Sequence, residues 1–157
     1  MAGRAIEIMR GVYKMAEKKL AIVSGAATGI GRGCSVRLAK DGWDLVLGDW
    51  NKEEGEKTAE MCREAGTQVD FVYVDMGKED EVKAFFKFAW DKYGKIDFYF
   101  NNQGAMHEPN NFEDITVEDF NKVVHSNFLG CFLGMKHAIL YMKQQKFGNI
   151  LNTGSSS

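Results

Sequence analysis

Three glycines and a carboxylate twenty residues further on are the residues best placed to do chemistry. The stretch SGAATGIG, Ser24 to Gly31, sets Gly25, Gly29 and Gly31 in a G-x-x-x-G-x-G spacing. Residues this small let a backbone turn tightly and approach a diphosphate closely. A helix opening inside the stretch then points its N-terminal N–H groups at that charge. A tight strand-to-helix turn with close packing would call for the same glycines. Asp49 follows Gly29 by twenty residues. A carboxylate at that point can accept hydrogen bonds from both hydroxyls of an adenosine ribose, and it repels a 2′-phosphate. It therefore favours NAD over NADP. The other use for Asp49 is to cap a helix beginning at Lys52.

Further polar residues follow the later apolar runs. Asp75 and Met76 come after the third run, and Asn101 to Gly104 (NNQG) after the fourth. Asn101 suits the task of satisfying backbone groups between diverging strands, whereas Asn102 to Gly104 could line a groove. Asn127 falls on an apolar stripe made by Phe120, Val123, Val124, Cys131, Met135, Ala138 and Met142. A buried amide must find partners. Two readings are open: a core Asn bonded internally, or one that holds a water or opens the helix beside an active site.

The elements that must position these residues alternate along the chain. Apolar runs at Leu20–Ser24, Leu45–Gly48, Val69–Val74 and Ile96–Phe100 read as strands, and Ile150–Leu151 begins a fifth. Helical spacing is expected over Gly29–Lys40, Lys52–Ala65, Glu79–Tyr93 and Thr116–Lys146, with Gly42, Gly66 and Gly94 closing the first three. Thr116 with Asp119 makes a capping box. Strands and helices alternating over connections this short imply an α/β fold with a doubly wound parallel sheet and helices on both faces. Ligands on such sheets bind beyond the carboxyl ends of the strands, where the polar residues stand.

Bulk properties narrow the partners. The 157 residues carry a net charge of −2, which argues against nucleic acid, since phosphate binding needs a basic face. No apolar run is long enough for a bilayer. Cys34, Cys62 and Cys131 are odd in number and far apart, so a reducing cytoplasmic setting fits better than a disulfide framework. His107, His125 and His137 have no metal-ligand spacing, and no metal is expected. Residues 1–17 read as an extension that frays, followed by one domain over 18–157.

Together these motifs resemble the classical short-chain dehydrogenase/reductase family from about Lys18 to Ser157. The family's T-G-x-x-x-G-x-G is similar to Ser24–Gly31, with Ser in place of Thr, and its N-N-A-G is similar to NNQG, with Gln103 in place of Ala. The resemblance implies a Rossmann fold and a cofactor groove in which Ser24, Gly25, Thr28, Gly29, Ile30 and Gly31 face the diphosphate. It adds Asp49 and Trp50 at the ribose, Asp75 and Met76 at the adenine, and Asn102, Gln103 and Gly104 along the groove. It implies catalytic roles for Asn127 and for Ser155, the Ser of NTGS. The activity it implies is hydride transfer between NAD and a small alcohol or carbonyl compound, usually in a homo-oligomer and with no membrane.

In that family a Tyr with a Lys four residues later is the general acid/base. The tyrosines here are Tyr13, Tyr73, Tyr93, Tyr99 and Tyr141, and none has Lys at that offset. The expectation is a cofactor-binding part that stops short of the Y-x-x-x-K motif and is inactive by itself. Its alternative is a complete NAD-binding module acting through a partner. Either way the fifth strand is expected at a sheet edge and the helix Thr116–Lys146 is expected to expose apolar surface and self-associate.

Overall fold

The structure, a computed structural model, describes residues 18–106 and 111–154. The N-terminal extension, His107 and Ser155 lie outside the described residues. Five strands, β1 (Leu20–Ser24), β2 (Asp44–Asp49), β3 (Val69–Tyr73), β4 (Phe98–Asn101) and β5 (Asn149–Asn152), pair in parallel in the order β3-β2-β1-β4-β5. The chain works outward from β1 in one direction and then returns to the other side of it. That reversal opens a crevice at the carboxyl ends of β1 and β4.

Both faces of the central strands are buried, which is why β1 and β2 read as unbroken apolar runs rather than alternating ones. From β1, Leu20 and Ile22 point into one core, with Phe85, Phe86 and Ala89 of α3 (Glu79–Tyr93) and Leu133, Ala138 and Met142 of α5 (Gly130–Gln145). Ala21 and Val23 point into the other, with Ala39 of α1 (Gly29–Lys40) and Ala59 and Cys62 of α2 (Lys52–Arg63). Phe86 sets its ring edge-on to Tyr99, with centroids 5.0 Å apart. Helix ends follow their local chemistry. Gly42, Gly66 and Gly94 all have positive φ, and Gly94 is the left-handed C-cap of α3.

The expected helix Thr116–Lys146 is three segments. The capping box of Thr116 and Asp119 starts α4 (Val117–Val123), a π-turn spans Val124–Leu129, and α5 continues from Gly130. Asn127 sits in that π-turn. The stripe predicted for this helix holds in part. Ala138 and Met142 are buried as expected, Val123, Val124, Cys131 and Met135 are half-buried, and Phe120 and Asn127 are exposed. The extra residue in the π-turn lets Asn127 leave the buried side. The edge position expected for β5 holds: it pairs with β4 alone.

Candidate functional site

The glycine loop is built by contact as well as by conformation. Gly25 has φ +66°, and a Cβ there would meet the backbone of Gln103 at 2.7 Å. A Cβ on Gly31 would lie 1.9 Å from the Gly25 carbonyl oxygen. The loop thus folds onto itself and onto the end of β4, and Asn102 staples it there by donating from Nδ2 to the Gly25 carbonyl at 3.3 Å. Asn102 Oδ1 accepts from Thr153 Oγ1 at 2.8 Å, tying in the residue after β5. Beyond the loop α1 begins at Gly29 with Thr28 at the N-cap. The Thr28 side chain makes no capping hydrogen bond, and no acidic residue occupies the first turn. The first N–H groups of a twelve-residue helix therefore face the crevice without a side-chain partner, the arrangement that favours an anion. Ile30 lies exposed on the same turn.

Asp49 ends β2 beside this loop. Its Oδ2 accepts from the Ala27 N–H at 2.9 Å and its Oδ1 from the Asn51 N–H at 2.9 Å. It does not cap α2; Asn51 does, accepting from the Glu54 N–H. The two backbone bonds fix the carboxylate while each oxygen keeps a lone pair for a further donor. Trp50, next in sequence, is half exposed at the mouth of the crevice. Arg32 braces the loop: its guanidinium donates to the Ala27 carbonyl and is held by Glu54 Oε2 at 2.6 Å and by Thr58 Oγ1 at 2.9 Å.

Under the loop lies a buried polar network. Ser24 Oγ donates to Gln103 Oε1 at 2.5 Å and lies 3.0 Å from Tyr99 Oη. Tyr99 donates to Asn101 Oδ1 at 2.6 Å, and Asn101 Nδ2 donates to Asn152 Oδ1 at 2.7 Å and to the Cys131 carbonyl at 3.0 Å. Complete burial pushes the Tyr99 phenol far above its ordinary range, so it remains a hydrogen-bond donor. Asn101, expected to satisfy backbone groups between diverging strands, instead bonds the Cys131 carbonyl of α5 and the Asn152 side chain of β5. Gln103 bends its amide down to Ser24. Sequence reasoning missed this network, because its members matter only once β1, β4 and β5 are side by side.

Two cavities meet at the crevice. One, the smaller, is lined by Gly25, Asp49, Trp50, Val74, Asp75, Met76, Gln103, Gly104 and Ser126. The other, a groove of about 1040 Å³ open to solvent, runs past Thr28, Gly29, Ile30 and Asn102 to Met106, Asn127 and Thr153. Asn127 closes its far end. Its Oδ1 accepts from the Ala105 N–H at 2.7 Å and its Nδ2 donates to the Ala105 carbonyl at 3.0 Å. Of the two readings of Asn127, the structure selects a helix opened at the site, with the amide bonded to a loop rather than buried in the core. Asp75 is on the wall of the smaller cavity. Its burial would raise its carboxyl, but the Gly77 N–H, His125 and Lys78 outweigh burial and hold it below the usual carboxylate range. Of the predicted site residues, Gly25, Thr28, Gly29, Ile30, Asp49, Trp50, Asp75, Met76, Asn102, Gln103, Gly104 and Asn127 line the crevice. Ser24 and Gly31, expected to face the diphosphate, do not: Ser24 is buried under the loop on Gln103, and Gly31 is buried where α1 packs on Gly25, so both shape the loop from behind. Among the described residues no group of three His, Cys, Asp or Glu is arranged around a metal position. No helix among them is long and apolar enough to cross a membrane.

Comparison with known proteins agrees with this geometry. The family model described as short chain dehydrogenase matches residues 19–157. An uncharacterised oxidoreductase of Bacillus subtilis is 36% identical over 141 residues, which are 90% of this chain and 51% of the relative. The solved structure of an NAD+-bound xylitol dehydrogenase superposes with a TM-score of 0.85 at 33% identity, over 89% of this chain and 54% of its own. A 3-ketoacyl-(acyl-carrier-protein) reductase from Brucella melitensis complexed with NADH gives a TM-score of 0.81 at 34% identity, over 88% and 57%. The chain spans about half the length of the curated relatives it matches.

Proposed function

From the premise that this chain belongs to the short-chain dehydrogenase family, we propose that it is the cofactor-binding part of an oxidoreductase using NAD(H) on a small alcohol or carbonyl compound. The observation that carries the reading is Asp49, fixed by the Ala27 and Asn51 N–H groups beside the glycine loop. The residues present fit a dinucleotide: a turn closed to any Cβ at Gly31, free helix N–H groups for a diphosphate, and a carboxylate one residue from an exposed indole. Two similar solved structures are of an NAD+-bound xylitol dehydrogenase and a reductase complexed with NADH, which supports the nicotinamide cofactor.

When bound, the cofactor supplies or takes up the hydride. The chain's own residues have the tasks of holding and orienting it. The glycine loop and α1 bind the diphosphate. Asp49 accepts from the ribose hydroxyls and excludes a 2′-phosphate by charge. Asn127 fixes the Ala105 backbone where the groove reaches the substrate side, and Ser155 hydrogen-bonds the reacting oxygen. None of the five tyrosines has Lys four residues on. The 157 residues alone are therefore proposed to bind NADH without turning substrate over.

The test is the pair of dissociation constants for NADH and NADPH with Asp49 and with Asp49→Ala. A charge-assisted hydrogen bond exchanged for repulsion is worth about tenfold or more in affinity. The unmutated chain should prefer NADH by at least about that factor, and Asp49→Ala should close most of the gap. Equal affinities in the unmutated chain would remove Asp49 from the ribose and the NAD preference with it.

A further inference from the structure

His125 has no part in the proposed cofactor site; it does not itself line the smaller cavity but stands behind Asp75, which does. Its Nε2 lies 2.9 Å from Asp75 Oδ1 and 3.1 Å from Oδ2, fifty residues away in sequence. The imidazole covers Gly77 so closely that a Cβ there would fall 2.2 Å from Nε2. The next residue, Ser126, is buried and lines the cavity, and the one after it, Asn127, clamps Ala105. All three lie in the π-turn.

The cavity has two carboxylates with separate surroundings. Asp49 is bonded at the glycine loop, where a sugar and diphosphate belong. Asp75 stands beside Val74 and Met76, with Trp50 on the same cavity. Val74, Met76 and Trp50 offer apolar surface beside the Asp75 carboxylate, a setting that suits a flat heteroaromatic ring carrying a donor at that edge. An ionised carboxylate only accepts hydrogen bonds. It rewards an amino group and repels a carbonyl oxygen in the same place.

We propose that His125 is a positioning residue of this pocket, holding Asp75 with its open lone pairs toward a purine 6-amino group, so that the pocket tells adenine from a 6-oxo purine. The proposal rests on the NAD reading above. Without His125 the carboxylate keeps only the Gly77 N–H at 3.0 Å and Lys78 at 3.7 Å. It is then free to turn toward the exposed lysine, and its oxygens no longer face the ring edge. Glu81 does not replace the lost partner, since it accepts from the Asp75 backbone N–H and pairs with Lys78.

The experiment titrates the 157-residue chain with NADH and with reduced nicotinamide hypoxanthine dinucleotide, which differ only at the purine 6-position. Dihydronicotinamide fluorescence reports both. A site that hydrogen-bonds a donor rejects an analogue lacking it. The hypoxanthine dinucleotide should bind the unmutated chain at least about tenfold more weakly. In His125→Leu that ratio should fall to within about threefold, and His125→Gln, whose amide nitrogen stands near the imidazole Nε2, should restore it. General damage to the pocket weakens both dinucleotides together and leaves their ratio in place, so the ratio isolates the positioning role. An unchanged ratio in His125→Leu, or no discrimination in the unmutated chain, overturns the proposal while leaving NAD binding standing. Failure of the unmutated chain to bind either dinucleotide overturns the NAD reading, and this inference with it.

Discussion

β1 and β5 flank the same strand, β4, and have opposite surroundings. Every residue of β1 is buried, between two strands and under helices on both faces. β5 has one neighbour, and Leu151 at its centre is half exposed. The helix over that end repeats the contrast. α5 buries Leu133, Ala138 and Met142 against the sheet while Phe132, Ile139 and Leu140 face outward. Apolar sequence marks what needs cover, not what has it. The first region, from β1 to β3, is covered on one face by α1 and α2 and on the other by α3 together with α5, and ends in the edge strand β3. The second leaves an apolar face open, with Phe128 and Phe147 adding to it. The cofactor groove is lined from both regions, but the open face of α5, Phe132, Ile139 and Leu140, is not part of its lining, so binding should not depend on what covers that face.

The change that breaks this contrast most strongly is Gly31→Val. It drives a side chain into the Gly25 carbonyl and should weaken NADH by more than about a hundredfold, as overpacking costs ~3 kcal/mol at such contacts. A titration that finds near-normal affinity would mean the loop is slack. The next test uses the cysteines as reporters of the two regions. Burial pushes the Cys62 thiol up to about 11, which leaves on the order of one thiolate in a thousand at pH 8. Iodoacetamide, followed by peptide mass spectrometry, should modify half-buried Cys131 of α5 at least about tenfold faster than Cys62. Equal rates would mean that the first region opens as readily as the second. The smallest effect is expected at Leu140→Lys on the open face. The midpoint of thermal unfolding should move by no more than about 2 °C and NADH affinity should hold, while sedimentation shows less self-association. A loss of stability on the scale of a core substitution would show that this face is covered by the chain itself.

Much of the architecture is legible in the residues, because buried parallel strands are continuous apolar runs and their helices end at glycines such as Gly94. Asp49 and the glycine loop are legible too, since spacing along the chain places them at one crevice. The long helix is read less well: a π-turn has no strong local signature, so sequence leaves Asn127 open between a core position and a helix opening, and Phe120, placed on the apolar stripe, stands exposed. The Ser24–Tyr99–Asn101 network and the His125–Asp75 pair are hidden for a different reason. Apart from Tyr99 and Asn101, two residues apart on β4, their partners are fifty to seventy-nine residues away, and nothing local marks them. Gly77 is the one clue, a glycine kept free of a Cβ by a ring that arrives from the π-turn.

The most direct test of the central claim is a calorimetric titration of NADH, and separately NADPH, into the unmutated 157-residue chain. The account predicts one NADH site with a dissociation constant on the order of micromolar, and NADPH weaker by at least about tenfold. No heat of binding, or equal affinities for the two, would contradict it.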